Sequence, residues 1–159
     1  MDEKLENQPA AAGVAIRGAG SALPTTATPP PIDLNELQEF SGEELESLAR
    51  DLDLHLHPAR LRHQHILDVT RAALDAGATV TAEGFLDQVN DSFAMLRWPK
   101  LNFLPVPEDV CVPREAIEQY RLRPGQKLAG IIRLPGHREK FLTLEQITMI
   151  EGQPADQWR

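Results

Sequence analysis

A chain of 159 residues carrying a formal charge of −8 has room for one domain or two small ones, and its acidity argues against an ordinary nucleic-acid binder, whose surface is usually basic. The single cysteine, Cys111, excludes an internal disulfide and a cysteine zinc cluster, and it fits a reducing compartment. The polar opening Met1-Asp2-Glu3-Lys4 is not a secretory signal, and no run of about 20 apolar residues is present to span a bilayer, so a cytoplasmic protein with no membrane partner is expected.

In chain order, residues 1–31 come first, with runs such as Ala10-Ala11-Ala12 and Pro29-Pro30-Pro31 and no helical or strand period, and they read as a disordered Pro/Ala/Thr-rich arm. From Leu34 the pattern turns helical: Leu34, Leu37 and Phe40 share one face. Ser41-Gly42-Glu43-Glu44 then has the form of a capping box ahead of Leu45, Leu48 and Leu52. His57-Pro58 suits the start of a third helix, whose apolar face (Leu61, Ile66, Leu67, Val69, Ala73, Leu74) runs to Gly77. Three short helices are marginal alone, so they are expected to pack on the second half of the chain.

After Gly77 the signals become short strands around Val80–Val89, Phe93–Leu96, Val110–Val112, Leu128–Leu134 and Phe141–Ile150. Asn90-Asp91-Ser92 supplies a tight turn, Pro124-Gly125 a type II turn, and Pro113–Tyr120 a short helix. The expected fold is α+β: a three-helix bundle over 32–78 packed on a five-stranded OB-type barrel over 79–152, with a tail at 153–159.

Charge separates along the chain in the same way. Residues 1–79 hold 6 Lys/Arg against 13 Asp/Glu, whereas residues 80–150 hold 9 against 9, so the acidity sits in the bundle half.

Several ordered motifs carry a resemblance. Asp91-Ser92-Phe93-Ala94-Met95-Leu96-Arg97, Glu108-Asp109-Val110-Cys111-Val112, Leu122-Arg123-Pro124-Gly125 with Gly130, and Glu139-Lys140-Phe141 together resemble the cold-shock-like RNA-binding domain of the Rho transcription termination factors. Leu34-Asn35-Glu36-Leu37 and Ala59-Arg60-Leu61-Arg62 resemble the helical bundle that precedes it, so the likeness covers about three quarters of the chain. It implies a barrel face that takes single-stranded, pyrimidine-rich RNA by stacking bases on aromatics while charged groups bond the base edges.

The implied RNA-binding residues are Phe93, Met95, Arg97, Asp109, Cys111, Glu139, Lys140 and Phe141. Period-two alternation points Phe93, Met95 and Arg97 the same way. Arg97 and Asp109 are implied as the polar pair, and Glu139, Lys140 and Phe141 as an acid, a base and an aromatic of the second pocket. Met95 and Cys111 stand where the family has phenylalanine and tyrosine, so RNA binding is expected to be weak, with Trp98 and Phe103 as candidate replacements.

No Gly-x-x-x-x-Gly-Lys-Ser/Thr loop occurs in the sequence, and no nucleophile–base pair either, so an RNA-binding module in termination or its regulation is expected, with no catalytic residue, cofactor or motor activity of its own. The alternative is an interaction protein with little RNA affinity that docks on Rho or RNA polymerase. His55, His57, His63 and His65 form two His-x-His pairs, but residues two apart on a helix diverge by about 200° and cannot chelate one ion, so they are read as polar surface and no metal is expected.

Overall fold

The structure is a computed structural model that describes residues 29–158. Residues 1–28, most of the expected disordered arm, lie outside the described residues, as does Arg159. The arm's last three prolines, Pro29–Pro31, lie within the described residues and line a groove with Leu37, Phe40 and Leu52.

A two-residue strand, β1 (Ile32–Asp33), leads straight into α1 (Leu34–Leu37), where the Asp33 carboxylate accepts from the Asn35 amide at 2.9 Å. The capping box is present at α2 (Gly42–Asp51): Ser41 Oγ accepts from the Glu44 N–H at 3.1 Å, and Glu44 Oε1 accepts from the Ser41 N–H at 2.8 Å. The third helix begins later than His57-Pro58 suggests. It spans Arg62–Asp75 (α3), because Gln64 Oε1 reaches back to the Leu61 N–H and His57 Nδ1 takes the Ala59 N–H, which turns residues 57–60 into a separate loop. Arg60 ties that loop to α3 through two 2.8 Å hydrogen bonds to Asp68.

The second half is the expected barrel. Strands β2 (Val80–Gln88), β3 (Ala94–Arg97), β4 (Val110–Val112), β5 (Lys127–Arg133) and β6 (Leu142–Ile150) close in the order β2-β3-β4-β6-β5, with β5 returning to β2. Neighbours in the barrel are antiparallel except β4 and β6, which run parallel. A helix, α4 (Arg114–Tyr120), crosses between β4 and β5, and this order with one parallel closure makes the barrel OB-type. Turn chemistry holds at both expected places: Asn90 Oδ1 accepts from the Ser92 and Phe93 amides, and Gly125 takes φ 91° between Arg123 and Gln126.

Bundle and barrel share one core, since Leu34, Leu37, Ile66 and Val69 pack in the same apolar cluster as Val80, Leu96 and Val110. Polar contacts reinforce the seam. β1 pairs parallel with β2, and the Asn35 side chain extends that ladder by donating to the Glu83 carbonyl at 2.7 Å and accepting its N–H at 2.8 Å. The last residues are not a free tail. Gln153–Pro154 (β7) pairs with β6, Ala155 is buried, and the Trp158 indole N–H donates to the Tyr120 carbonyl at 2.9 Å, because a ring that buries its body against α4 must also satisfy its one donor.

Candidate nucleic-acid interface

Strand register sorts the barrel residues into faces, because directly paired residues share a side. Leu86, Leu96, Val110 and Leu142 form one row and are all buried in the core. The next row, Asp87, Met95, Cys111 and Thr143, therefore lies on the outer face, and Phe85 opposes Arg97 on the same side. Phe93 and Phe141 are exposed at 37 % and 36 %, so two rings flank this face.

Met95 is on the expected side of β3 but is not a stacking surface. It is only 1 % exposed, boxed between Asp87 and Cys111 across the ladders and between Phe93 and Arg97 along its own strand. Trp98 is not a replacement ring either, since it is buried and spends its indole N–H on the Glu83 carbonyl at 2.8 Å. Phe103 does stand exposed.

Arg97 and Asp109 are brought together, with Arg97 Nε 3.3 Å from Asp109 Oδ2. A third group, missed in the sequence, shares the guanidinium: Arg97 Nη1 donates to Asp87 Oδ2 at 2.6 Å. The register with Met95 puts Asp87 on this face, and nothing local in the sequence links it to Arg97. Asp109 is almost fully buried, and burial pushes its carboxyl up to about 6 against the opposing pull of the Val106 N–H and Arg97. Its Oδ1 has no hydrogen-bond partner among the described residues.

Among the residues implied for a second base pocket, Glu139 belongs to another ion pair that the sequence did not disclose. Arg133 holds Glu139 in a two-pronged contact at 2.7 and 3.1 Å, and the Gly136 N–H donates to the same carboxylate. Arg133 first, and then the Gly136 amide, hold the Glu139 carboxyl down to about 2. Cys111 lies in the field of this pair: burial pushes its thiol up, the Glu139 charge adds to that, and Arg133 opposes it. Lys140 is exposed beside Phe141. The ladders thus set Arg97 beside Asp109 and Met95 beside Cys111, with the Glu139 charge reaching Cys111, Phe93 and Phe141 exposed, and Met95 buried between Phe93 and Arg97 along β3.

His63 also departs from its reading as plain polar surface. Its Nδ1 lies 2.7 Å from Glu108 Oε2, and Gln38 Nε2 donates to the same oxygen at 3.1 Å, so α3 and the residue that ends α1 grip a fully buried carboxylate next to Asp109. Among the described residues, no three His, Cys, Asp or Glu side chains gather in a group that could hold a metal, and no helix is long and apolar enough to cross a membrane.

Residues 82–156 match the family model of the Rho termination factor RNA-binding domain. Similar proteins include the transcription termination factor Rho of Cereibacter sphaeroides, 27 % identical with 75 % of this chain and 28 % of the relative covered. Rho of Akkermansia muciniphila is 28 % identical with 99 % of this chain and 34 % of the relative covered, and Rho of Aquifex aeolicus is 28 % identical at 76 % and 28 %. The chain spans about a third or less of the length of these relatives.

Proposed function

We propose, because residues 82–156 match the Rho termination factor RNA-binding domain, that the outer barrel face binds single-stranded, pyrimidine-rich RNA in transcription termination or its regulation. The observation that carries this reading is the placement of a guanidinium between carboxylates and rings: Arg97 within reach of Asp87 and Asp109, on a face flanked by exposed Phe93 and Phe141. A base can lie on either ring through its π face, while a planar donor fork and fixed acceptors address its edge. Arg133 and Gly136 hold Glu139 ionised and oriented, ready to accept from an exocyclic amine. Lys140 supplies positive charge for a phosphate.

Affinity on this reading is modest, micromolar or weaker, because Met95 is withdrawn and Cys111 offers no ring, and each base–aromatic stack is worth about 1 to 3 kcal/mol. The same two features favour a second reading, an interaction protein that docks on Rho or RNA polymerase and keeps the barrel shape with little RNA affinity. Fluorescence anisotropy with labelled oligo-C at low salt decides between them. Saturable binding that Arg97→Ala or Phe141→Ala weakens supports the RNA module. No binding by the native chain and none by Cys111→Tyr would move the assignment to the docking protein.

A further inference from the structure

A ring pair, half-buried Phe85 and exposed Phe103, extends the outer face beyond Arg97. Phe103 follows the short 3-10 turn Pro99–Leu101 and is 47 % exposed. Asn102 and Phe103 both adopt left-handed backbone, with φ of 56° and 57°. Asparagine visits that region readily, but a bulky side chain there costs roughly 1 to 2 kcal/mol. Strain of this kind persists only where surrounding bonds impose it, and it concentrates where a side chain is aimed at a ligand. Here the Phe103 N–H donates to the Trp98 carbonyl at 3.0 Å and the Leu104 N–H to the Leu101 carbonyl at 3.0 Å.

The result is that Phe103 meets Phe85 edge to face, with ring centroids 6.2 Å apart and planes at 81°. Phe85 directly opposes Arg97 across one ladder and Lys127 across the other. An exposed ring is therefore one residue removed from the guanidinium of the RNA face, with an ammonium on the far side. A Phe serving only to cover the core would be buried in relaxed backbone; this one is half exposed in strained backbone.

We propose that Phe103, backed by Phe85, is a third base-stacking position for single-stranded RNA, continuing the face past Arg97 with Lys127 beside it to meet a phosphate. The proposal rests on the RNA-binding reading above. Stacking accepts any base because every base has a π face, so this position adds affinity without base preference and makes up part of the surface lost at Met95 and Cys111.

The test compares the affinity of the whole chain for cytidine dinucleotide, for trinucleotides extended at either end, and for trinucleotides whose added residue is abasic. Extension at one end is expected to tighten binding roughly fivefold or more, and the abasic version, which keeps its phosphate, is expected to lose most of that gain. Phe103→Ala should abolish the gain and leave dinucleotide affinity unchanged, whereas Phe103→Tyr should keep it. The abasic comparison uses the native chain, so it stands even if Phe103→Ala folds poorly. A gain that survives both Phe103→Ala and the abasic residue overturns the proposal, and so does an equal loss at every length. Binding at every length with no effect of Phe103→Ala also overturns it and marks Phe103 as a protein contact. Failure of all the oligomers to bind overturns the RNA-binding reading itself, an outcome distinct from the others.

Discussion

Glu108 and Asp109 are adjacent in sequence, yet their carboxylates serve different parts of the molecule: Glu108 is held by Gln38 and His63 of the helical bundle, and Asp109 by Arg97 on the barrel face. Removing His63 leaves a buried carboxylate short of one partner. His63→Ala should therefore destabilise the fold by about 1 to 3 kcal/mol. Glu108→Gln removes the buried charge while keeping the shape, and should suppress most of the His63→Ala penalty. Urea denaturation of the two single variants and the double variant measures the coupling, and strict additivity would show that the contact carries no energy.

Two carboxylates give stability opposite dependences on pH. Asp109, raised to about 6 by burial, holds its proton more tightly in the folded state, so stability is full below about 4 and falls as pH rises through about 6. Asp109→Asn should remove that slope, worth on the order of 2 kcal/mol. Glu139, held down to about 2 by Arg133, stabilises the fold above the ordinary carboxylate range and loses that contribution as pH falls towards 2. Denaturation midpoints of native, Asp109→Asn and Glu139→Gln chains between pH 3 and 7.5 separate the two. An unchanged midpoint for Asp109→Asn relative to native across pH 4 to 6.5 would refute the first assignment.

Restoring the two missing aromatics should have unequal results. Cys111 is partly accessible on the outer face, so Cys111→Tyr should add a stacking surface and tighten oligo-C binding by about 1 kcal/mol or more, roughly fivefold. Met95 is 1 % exposed, and Met95→Phe overfills its site, lowering stability by about 1 to 3 kcal/mol with little gain in affinity. Anisotropy titrations paired with thermal melts distinguish the two. A tight-binding, fully stable Met95→Phe would mean that the site opens.

Gly130→Ala should be among the most damaging single substitutions. A Cβ there would collide with the Gln146 carbonyl and lie 2.8 Å from Leu144 Cδ1, at a register shift where β5 passes β6. Loss of the cooperative transition, or a melting temperature lowered by ten degrees or more, is expected. Circular dichroism settles it.

Much of this was legible because its chemistry is local. Ser41 and Glu44 are three residues apart and cap each other; Pro124-Gly125 specifies its own turn; alternation placed Phe93, Met95 and Arg97 on one side of β3. What stayed hidden depended on distance or depth. Period two gives the side of a strand but not how far neighbours close over it, which is why alternation alone makes Met95 look like a contact surface. His63 and Glu108 lie 45 positions apart, Trp158 and Tyr120 lie 38 apart, and no sequence period links either pair. His57-Pro58 satisfied a helix-start preference that a turn satisfies equally, and the long reach of Gln64 decided between them.

The parallel pairing of β4 with β6 also fixes when the proposed RNA face comes into being. Val110 and Cys111 find β3 soon after it is made, but their other edge waits for Leu142 and Thr143, roughly thirty residues later on the chain. During synthesis, β2, β3 and β4 emerge as an open sheet carrying Phe93 and Arg97 but no Phe141, with unpaired edges that invite contact with other chains. Ring closure by β6 is thus the step that both hides those edges and completes the face, so a nascent chain gains the proposed RNA site only as it stops being prone to aggregate.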